Sequence, residues 1–229
     1  MKVLYEKENL YEYTAEAIGQ LISKFLSMKE EIVLGLPGGR SILPILNYLS
    51  KHPVDWEKIH VFVVDERLVP INDPESNFGL INSGLSDIIP KENFHPFIIE
   101  NQNERNSLKK YEDEIKKFDG FYDILVVSIG EDGHIGSLYP NHPSIKDDSD
   151  FYIIVEDSPK PPSRRMSISS KMVTRSKACV VIISGNQKKD ALTKFLDSDS
   201  NYANCPAKLI LKIPELFVFT DIDLKSINI

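Results

Sequence analysis

Cysteine is scarce in this chain of 229 residues. Cys179 and Cys205 are the only two, which is too few for a disulfide framework or a zinc site of cysteine ligands. Cys179 lies in an apolar run and is predicted to be a buried core residue. The scarcity favours a reduced, cytoplasmic protein.

Long apolar runs are also missing. No segment approaches the roughly 20 apolar residues that cross a membrane. The first eight residues are polar and charged, unlike the apolar centre of a signal peptide. We therefore expect no membrane association.

An excess of basic residues is lacking as well. The chain has 27 Lys and Arg against 34 Asp and Glu, for a formal net charge of -7. Nucleic-acid binding depends on clustered Lys and Arg, so a nucleic-acid partner is not expected. A small anionic ligand remains compatible, because a few local cations suffice to bind it.

Two patterns of catalytic chemistry are absent from the sequence. The five histidines are scattered, with no pair at His-x-x-x-His spacing, and no serine lies in a Gly-x-Ser-x-Gly segment. We therefore predict no metal site, no cofactor and no serine nucleophile of that type.

Apolar runs typical of buried strands alternate with stretches of helical spacing. The runs lie at 32–36, 61–64, 124–129, 152–155, 178–184 and 216–220, and the helical stretches at 9–28, 42–49, 78–88, 108–118 and 191–195. This alternation predicts an α/β fold with a mostly parallel sheet and helices on both faces. There is no repeat or long linker, and the proline-rich stretch 157–165 is predicted to be a surface loop, so residues 1–229 are expected to form a single domain.

Polar clusters follow four of the predicted strands directly. Ligands of open parallel sheets bind beyond the carboxyl ends of the strands, so these clusters should converge. In the first cluster, Gly38 and Gly39 would let the backbone approach an anion and Arg40 adds a cation. Ser41 is a plausible N-cap of the next helix, whose free N–H groups favour negative charge. The alternative is a tight turn without a ligand.

The second cluster is Asp65-Glu66-Arg67. Charges at a strand end are costly to bury without a purpose, and an arginine can hold a phosphate or carboxylate with two hydrogen bonds. The alternative is an internal ion pair between Asp65 and Arg67 that closes the turn.

The third cluster is the glycine-rich turn 130–134, which ends in His134. An ordinary histidine, with a pKa of about 6.5, accepts a proton from water near neutral pH. Asp132 is close enough in sequence to orient or polarise it, although residues two apart in a turn need not face the same way. His142 could line the same cleft or belong to a turn, while His52, His60 and His95 are predicted to be structural or solvated.

The fourth cluster, 185–188, joins a strand to a helix. Lys188 or Lys189 could meet an anion at that helix start, or the segment could be a solvated first turn. Arg164 and Arg165 are further cation candidates or surface charges. The four clusters together predict acid–base chemistry on a phosphorylated small molecule.

In their order along the chain, these motifs resemble the 6-phosphogluconolactonase family. The resemblance covers nearly the whole chain and rests on residues 34–39, 65–70 with Ser76-Asn77, 132–134 with 137–140, Pro161-Pro162 leading to Arg165, and 185–188. That family shares its fold with glucosamine-6-phosphate deaminases and, more distantly, with ribose-5-phosphate isomerases. The resemblance implies hydrolysis of 6-phosphoglucono-δ-lactone to 6-phosphogluconate, the second step of the oxidative pentose phosphate pathway.

The resemblance also implies roles for individual residues. His134 would activate water as a base, Asp132 would support it, and Arg67, with Lys188 and Arg165, would hold the phosphate or the developing oxyanion. The remaining substrate-binding residues are expected to be Gly38, Gly39, Arg40, Ser41, Asp65 and Asn77.

Two other functions are weighed against the lactonase. A glucosamine-6-phosphate deaminase would use Asp65 as a carbon-acid base, but that family has Tyr at the place of Arg67 and differs over 137–140. A non-catalytic sugar-phosphate sensor would carry an appended DNA-binding module, which is not expected in an acidic chain that begins almost at its first core helix. The protein is expected to be a monomer or a weak homodimer.

Overall fold

A parallel sheet of seven strands runs through the protein, which is described by a computed structural model over residues 1–39, 41–99 and 103–227. Its strands are β1 (Lys2–Tyr5), β2 (Ile32–Leu36), β3 (Ile59–Val63), β5 (Phe94–His95), β6 (Ile124–Ser128), β9 (Ala178–Ile183) and β10 (Glu215–Thr220). They lie in the order β1-β10-β9-β6-β2-β3-β5, and every neighbouring pair is parallel.

Six α-helices lie in the described ranges. They are α1 (Leu10–Leu26), α2 (Ile42–Leu49), α3 (Asn77–Leu85), α4 (Glu104–Lys116), α5 (Ser170–Arg175) and α6 (Lys189–Leu196). The buried residues of α1 recur at helical spacing, as in Ile18, Leu21, Ile22 and Phe25, so one stripe of the helix faces the core.

The central strands are covered on both faces. Every residue of β2, β3 and β9 is buried, as expected where helices pack on the two sides of a parallel sheet. The prediction of an α/β fold with a mostly parallel sheet is therefore confirmed. Cys179 and Cys205 are both buried and both free thiols.

A second, antiparallel sheet of three strands was not predicted. It has the order β4-β8-β7, with β4 at Asp65–Arg67, β7 at Tyr152–Val155 and β8 at Arg165–Ile168. The strand predicted at 152–155 exists, but it belongs to this small sheet. Asp65 begins β4 rather than simply ending the preceding strand. Strand β4 escaped prediction because it is three residues long and entirely charged, with no apolar run.

One predicted helix cap is wrong. Ser41 does precede α2, but its backbone is helical and its side chain makes no capping hydrogen bond. Arg40, beside it, lies outside the described residues.

The order in which the chain adds strands to the sheet reverses between β2 and β6. These strands are neighbours, and the sheet continues to β3 and β5 on one side and to β9, β10 and β1 on the other. A crevice forms at such a switch point, beyond the carboxyl ends of the two strands. The segments that follow β2 and β6 are the glycine loop at 37–39 and the turn at 130–134. Within the described ranges, no helix is long and apolar enough to cross a membrane.

Candidate active site

A cavity of about 630 Å³ opens at this edge of the sheet. All four predicted clusters and the proline-rich loop contribute to it. The predicted site residues that line it are Gly38, Gly39, Ser41, Asp65, Arg67, Asn77, His134, Arg165 and Lys188. Asp132 does not line the cavity but contacts His134. The prediction for Arg40 concerns a residue outside the described ranges.

A carboxylate holds His134 in place. The Nδ1 atom of His134 and the Oδ1 atom of Asp132 form a short hydrogen bond, and the same oxygen accepts the backbone N–H of His134 at 3.2 Å. Burial acts to raise the pKa of Asp132, but the hydrogen bonds and charge of His134 outweigh it and lower that pKa to about 2. Asp132 is therefore ionised at neutral pH and faces Nδ1, which leaves Nε2 as the ring nitrogen without this partner.

The turn before His134 is shaped for the imidazole ring. A Cβ atom on Gly130 would lie 1.9 Å from the Cε1 atom of His134, so the ring occupies the space that any larger residue would need. Gly133 has a φ of +94°, a conformation that side-chain-bearing residues rarely adopt. On its other side the ring packs against Tyr139, with centroids 4.9 Å apart.

The three charged residues of β4 have different partners. Asp65 Oδ2 accepts a hydrogen bond from the Ser137 hydroxyl at 3.0 Å and lies 3.7 Å from Nη1 of Arg165. The ion pair considered between Asp65 and Arg67 is thus not the one formed. Arg67 instead donates through Nη1 to the carbonyl of Glu75 at 2.8 Å.

Glu66 is a structural residue. Its carboxylate accepts the backbone N–H groups of Asn77 at 2.7 Å and Phe78 at 2.8 Å, at the start of α3, and the hydroxyl of Ser76 at 3.1 Å. Burial raises the pKa of Glu66, against these hydrogen bonds. Glu66 thereby fixes the helix start that carries Asn77 into the cavity.

Two buried polar atoms at the site have no hydrogen-bond partner among the described residues. They are Nε of Arg67 and Oδ1 of Asn77. The Asn77 amide donates from Nδ2 to the carbonyl of Asp65 at 2.7 Å, and a Cβ atom on Gly38 would lie only 1.7 Å from its Oδ1. An unpaired buried donor or acceptor is costly, so a ligand that pairs with these atoms would gain affinity.

Lys188 reaches the cavity from the segment after β9. Its ammonium donates to the hydroxyl of Ser128 at 2.9 Å, and the Ser128 hydroxyl is 3.5 Å from that of Ser41. Burial lowers the pKa of Lys188, while Glu131 acts to raise it. The segment 185–188 is therefore not simply a solvated first turn, because the side chain of Lys188 lies in the cavity.

Several other candidates lie elsewhere. His142 caps a short 3-10 helix by accepting the N–H of Ser144 at 3.2 Å, so its role is in a turn. His60 and His95 pair with each other at 3.0 Å and are structural. Arg164 bonds to Glu104 at 2.7 Å and does not line the cavity. Within residues 1–39, 41–99 and 103–227, no three His, Cys, Asp or Glu side chains form a group that could hold a metal ion.

Among the lining residues that the sequence did not single out are Tyr11, Ser128 and Lys160. Ser128 is the last residue of β6, so the rule that sites follow strand ends could have found it. Lys160 stands between two prolines and five residues before Arg165, which is a weak signal. Tyr11 comes from the first turn of α1, and nothing in its local sequence points to the site.

The arrangement places a histidine at a cavity lined by several cationic side chains. His134 is oriented by Asp132 and faces a cavity that receives Arg67, Lys188 and Arg165. Such a site can take a proton from a bound water and stabilise negative charge on a ligand.

Comparisons with known proteins identify the family of the chain. A family model described as glucosamine-6-phosphate isomerases/6-phosphogluconolactonase matches residues 5–218. The 6-phosphogluconolactonase of Borreliella burgdorferi is 34% identical, over 97% of this chain and 96% of its own length. That of Thermotoga maritima is 30% identical, over 85% of this chain and 88% of its own.

Solved structures share the fold. The crystal structure of the Thermotoga maritima 6-phosphogluconolactonase has a TM-score of 0.84 and 27% identity, and the match covers 95% of this chain and 97% of that one. A monomeric glucosamine-6-phosphate deaminase matches with a TM-score of 0.83 at 20% identity, over the whole of both chains. The second likeness speaks for the fold alone.

Proposed function

The chain belongs to the family of glucosamine-6-phosphate isomerases and 6-phosphogluconolactonases, and we propose from this that it hydrolyses 6-phosphoglucono-δ-lactone to 6-phosphogluconate. The reaction is the second step of the oxidative pentose phosphate pathway. Relatives that match almost end to end at 34% and 30% identity carry the name of this activity. The observation that carries the chemistry is the contact between Asp132 and His134 at the mouth of a cation-lined cavity.

His134 is the proposed base. Its Nε2 atom takes a proton from water as the water oxygen attacks the lactone carbonyl carbon. The tetrahedral intermediate then collapses, the bond from that carbon to the ring oxygen breaks, and the ring oxygen receives the proton that Nε2 of His134 took from water. General-base assistance of this kind contributes about 10²–10⁴-fold to the rate. Asp132 keeps the imidazole in the orientation and tautomer that the step needs.

Different cationic residues of the cavity interact with different groups of the substrate. We place the phosphate between the glycine loop at 38–39 and Lys188, where the hydroxyls of Ser41 and Ser128 also lie. Arg67 offers its unpartnered Nε to a substrate oxygen, and Asn77 offers Oδ1 to a substrate hydroxyl. Arg165 is turned toward Asp65 and three backbone carbonyls, so its part is to hold the local structure and add positive potential.

The competing function is deamination of glucosamine 6-phosphate with Asp65 as the carbon-acid base. Asp65 is engaged by Ser137 and Arg165. The structural likeness to a deaminase is at a level that supports the fold only.

The deciding experiment measures both reactions. We expect the protein to hydrolyse 6-phosphogluconolactone well above the buffer blank and to release no ammonia from glucosamine 6-phosphate. His134→Ala should lose about 10²-fold or more in kcat. His142→Asn, a change outside the cavity lining, should keep the wild-type rate. A wild-type rate equal to the blank would refute the function, and an unimpaired His134→Ala would refute the mechanism.

Two further proposals concern the protein as a whole. We propose a cytoplasmic protein that is monomeric or a weak homodimer. Light scattering after size-exclusion chromatography at several concentrations tests the second point, because a mass that stays at two subunits upon dilution would contradict it.

A further inference from the structure

Lys160 lines the active-site cavity, although neither the sequence motifs nor the comparisons give it a role. It lies in the loop between β7 and β8, and its neighbours in the lining include His134, Arg165 and Lys188. The residue is exposed, so its long side chain reaches the cavity from the solvent side.

The backbone of Lys160 is tightly held. Its N–H donates to the hydroxyl oxygen of Ser158 at 3.2 Å, and its carbonyl oxygen lies 3.0 Å from that same hydroxyl. The carbonyl also accepts a hydrogen bond from Nη2 of Arg165 at 3.2 Å. These hydrogen bonds hold the backbone of Lys160 to Ser158 and to Arg165, which also lines the cavity.

The hydrogen bonds that hold the Lys160 backbone also connect this loop to the proposed base, His134. The hydroxyl oxygens of Ser158 and Tyr139 are 2.8 Å apart, and the Tyr139 ring packs against the His134 imidazole. Both Ser158 and Tyr139 are buried. The loop that carries Lys160 is therefore attached to the side chain that supports His134, which fixes the lysine on the base's side of the cavity.

The ammonium of Lys160 is available to a ligand. No carboxylate of the described residues lies within 4.0 Å of it. Its positive charge nevertheless reaches both Asp132 and Lys188, and it acts to lower the pKa of each. Lys160 is thus within electrostatic range of both the carboxylate that holds His134 and the lysine placed at the phosphate.

We propose that Lys160 binds the reacting end of the substrate: the carbonyl oxygen of the lactone as it becomes an oxyanion, and the carboxylate of the product. This inference rests on the lactonase function proposed above. When water attacks, negative charge develops on the carbonyl oxygen, and an ammonium in the same cavity as His134 stabilises it more than it stabilises the neutral lactone. A group with that preference raises kcat.

The test compares two ligands that differ at one end. The product 6-phosphogluconate carries a carboxylate, whereas glucitol 6-phosphate has the same phosphate and open chain with a hydroxymethyl group instead. Lys160→Met removes the charge at nearly constant length. We expect it to weaken binding of 6-phosphogluconate about tenfold by calorimetry and to leave glucitol 6-phosphate within about twofold of wild type. We also expect kcat for the lactone to fall at least about tenfold, with a smaller change in KM.

Two further variants control the comparison. Lys160→Arg keeps the charge and should recover most of the binding of 6-phosphogluconate. Arg164→Gln removes a positive charge from the same loop outside the cavity lining, and should behave as wild type. If Lys160→Met weakens the binding of both ligands equally, the lysine binds the phosphate and the inference is overturned. Unchanged binding of both ligands would overturn it as well. A wild-type protein without lactonase activity would refute the proposed function, while the two-ligand comparison would still decide whether Lys160 binds the carboxylate.

Discussion

Arg67 and Arg165 are direct cross-strand partners in the antiparallel pair of β4 and β8. Side chains at such positions project from the same face of a sheet, and like charges placed there destabilise the pair. The structure relieves Arg165 through Asp65 and the carbonyls of 160–162, but Arg67 has no carboxylate within 4.0 Å among the described residues. Both arginines line the cavity. A bound anion would remove the remaining repulsion.

This pairing predicts that ligand binding stabilises the protein through Arg67. We expect 6-phosphogluconate to raise the midpoint of thermal unfolding of the wild type clearly more than that of Arg67→Gln, because hydrogen bonds to charged groups contribute about 1.5–3 kcal/mol. kcat/KM should fall roughly 10–100-fold. Arg175→Gln, which removes an arginine that pairs with Asp150 away from the cavity, serves as the control. An equal ligand-induced shift in Arg67→Gln and wild type would contradict the prediction.

Replacing Gly130 should impair catalysis by His134 without changing that residue itself. The Cβ atom of Gly130→Ala would overlap the ring of His134, which must then move. A displacement of about 1 Å costs on the order of 10²-fold in rate, so we expect kcat to fall by about that factor. Steady-state kinetics of the lactone reaction measure it, with circular dichroism as a check on folding. Gly84→Ala in α3, whose Cβ would have atoms of the Leu46 side chain as its nearest contacts, should keep its kcat. A fully active Gly130→Ala enzyme would mean that the position of the ring is not critical.

Asp132 should matter for the rate more than for binding. Its pKa of about 2 keeps the carboxylate charged throughout the working pH range. Asp132→Asn retains the shape but loses the charge that fixes the tautomer of His134. We expect kcat to fall about 10²–10⁴-fold, as for other carboxylates that orient a histidine. Because Asp132 does not line the cavity, the dissociation constant of 6-phosphogluconate should change only a few-fold. Loss of binding with an intact kcat would reverse these roles.

Anion binding should weaken at high pH because of Lys188. Burial lowers its pKa, so its positive charge is lost at a lower pH than that of an ordinary lysine. An anionic ligand then loses a partner as the pH rises through that range. We expect the dissociation constant of glucitol 6-phosphate, measured by calorimetry between about pH 7 and pH 10, to rise with pH. Arg stays protonated over this range, so Lys188→Arg should show a flatter profile. Parallel profiles for the two proteins would exclude Lys188 as the titrating group.

The hydrogen-bonded pair of His60 and His95 should make stability depend on pH. His95 stacks on Phe62 with ring centroids 4.2 Å apart, and burial, aided by the charge of His60, lowers its pKa to about 4. Between about pH 6.5 and pH 4 the unfolded chain binds a proton there and the folded one does not, so stability falls as the pH falls.

The shift of the His95 pKa corresponds to roughly 3–4 kcal/mol before solvent screening reduces it, since one pKa unit is worth about 1.4 kcal/mol. Urea unfolding of the wild type and of His95→Gln across this range measures the effect. Subtracting one plot of unfolding free energy against pH from the other cancels the contribution of the carboxylates, which both proteins share. We expect the unfolding free energy of His95→Gln to depend less on pH than that of the wild type. Curves with the same slope would show that His95 is not responsible.

Local patterns were sufficient for the five inner strands of the main sheet and for most of the cavity lining, but they missed its two edge strands, β1 and β5. Apolar runs marked the central strands because those strands are buried on both faces, as the fully buried residues of β2 and β9 illustrate. Strand ends then led to the loop at 38–39, to His134 and to Lys188, which all line the cavity. The same patterns missed β4, because three charged residues carry no hydrophobic period, and they misjudged Ser41, whose backbone is already helical.

The sequence by itself determined which residues reach the carboxyl edge of the sheet, because that depends on strand ends and turns that are local in the chain. Only the tertiary structure decided which of them meet. Ser137 is hydrogen-bonded to Asp65, 72 residues away in the chain, and Arg67 faces Arg165 through the register of β4 and β8, two strands that no apolar run predicted. Tyr139, Ser158 and Lys160 are linked by hydrogen bonds between two loops. Such partners depend on strand pairing and side-chain rotamers, which are set when distant segments pack together and leave no periodic trace in the sequence.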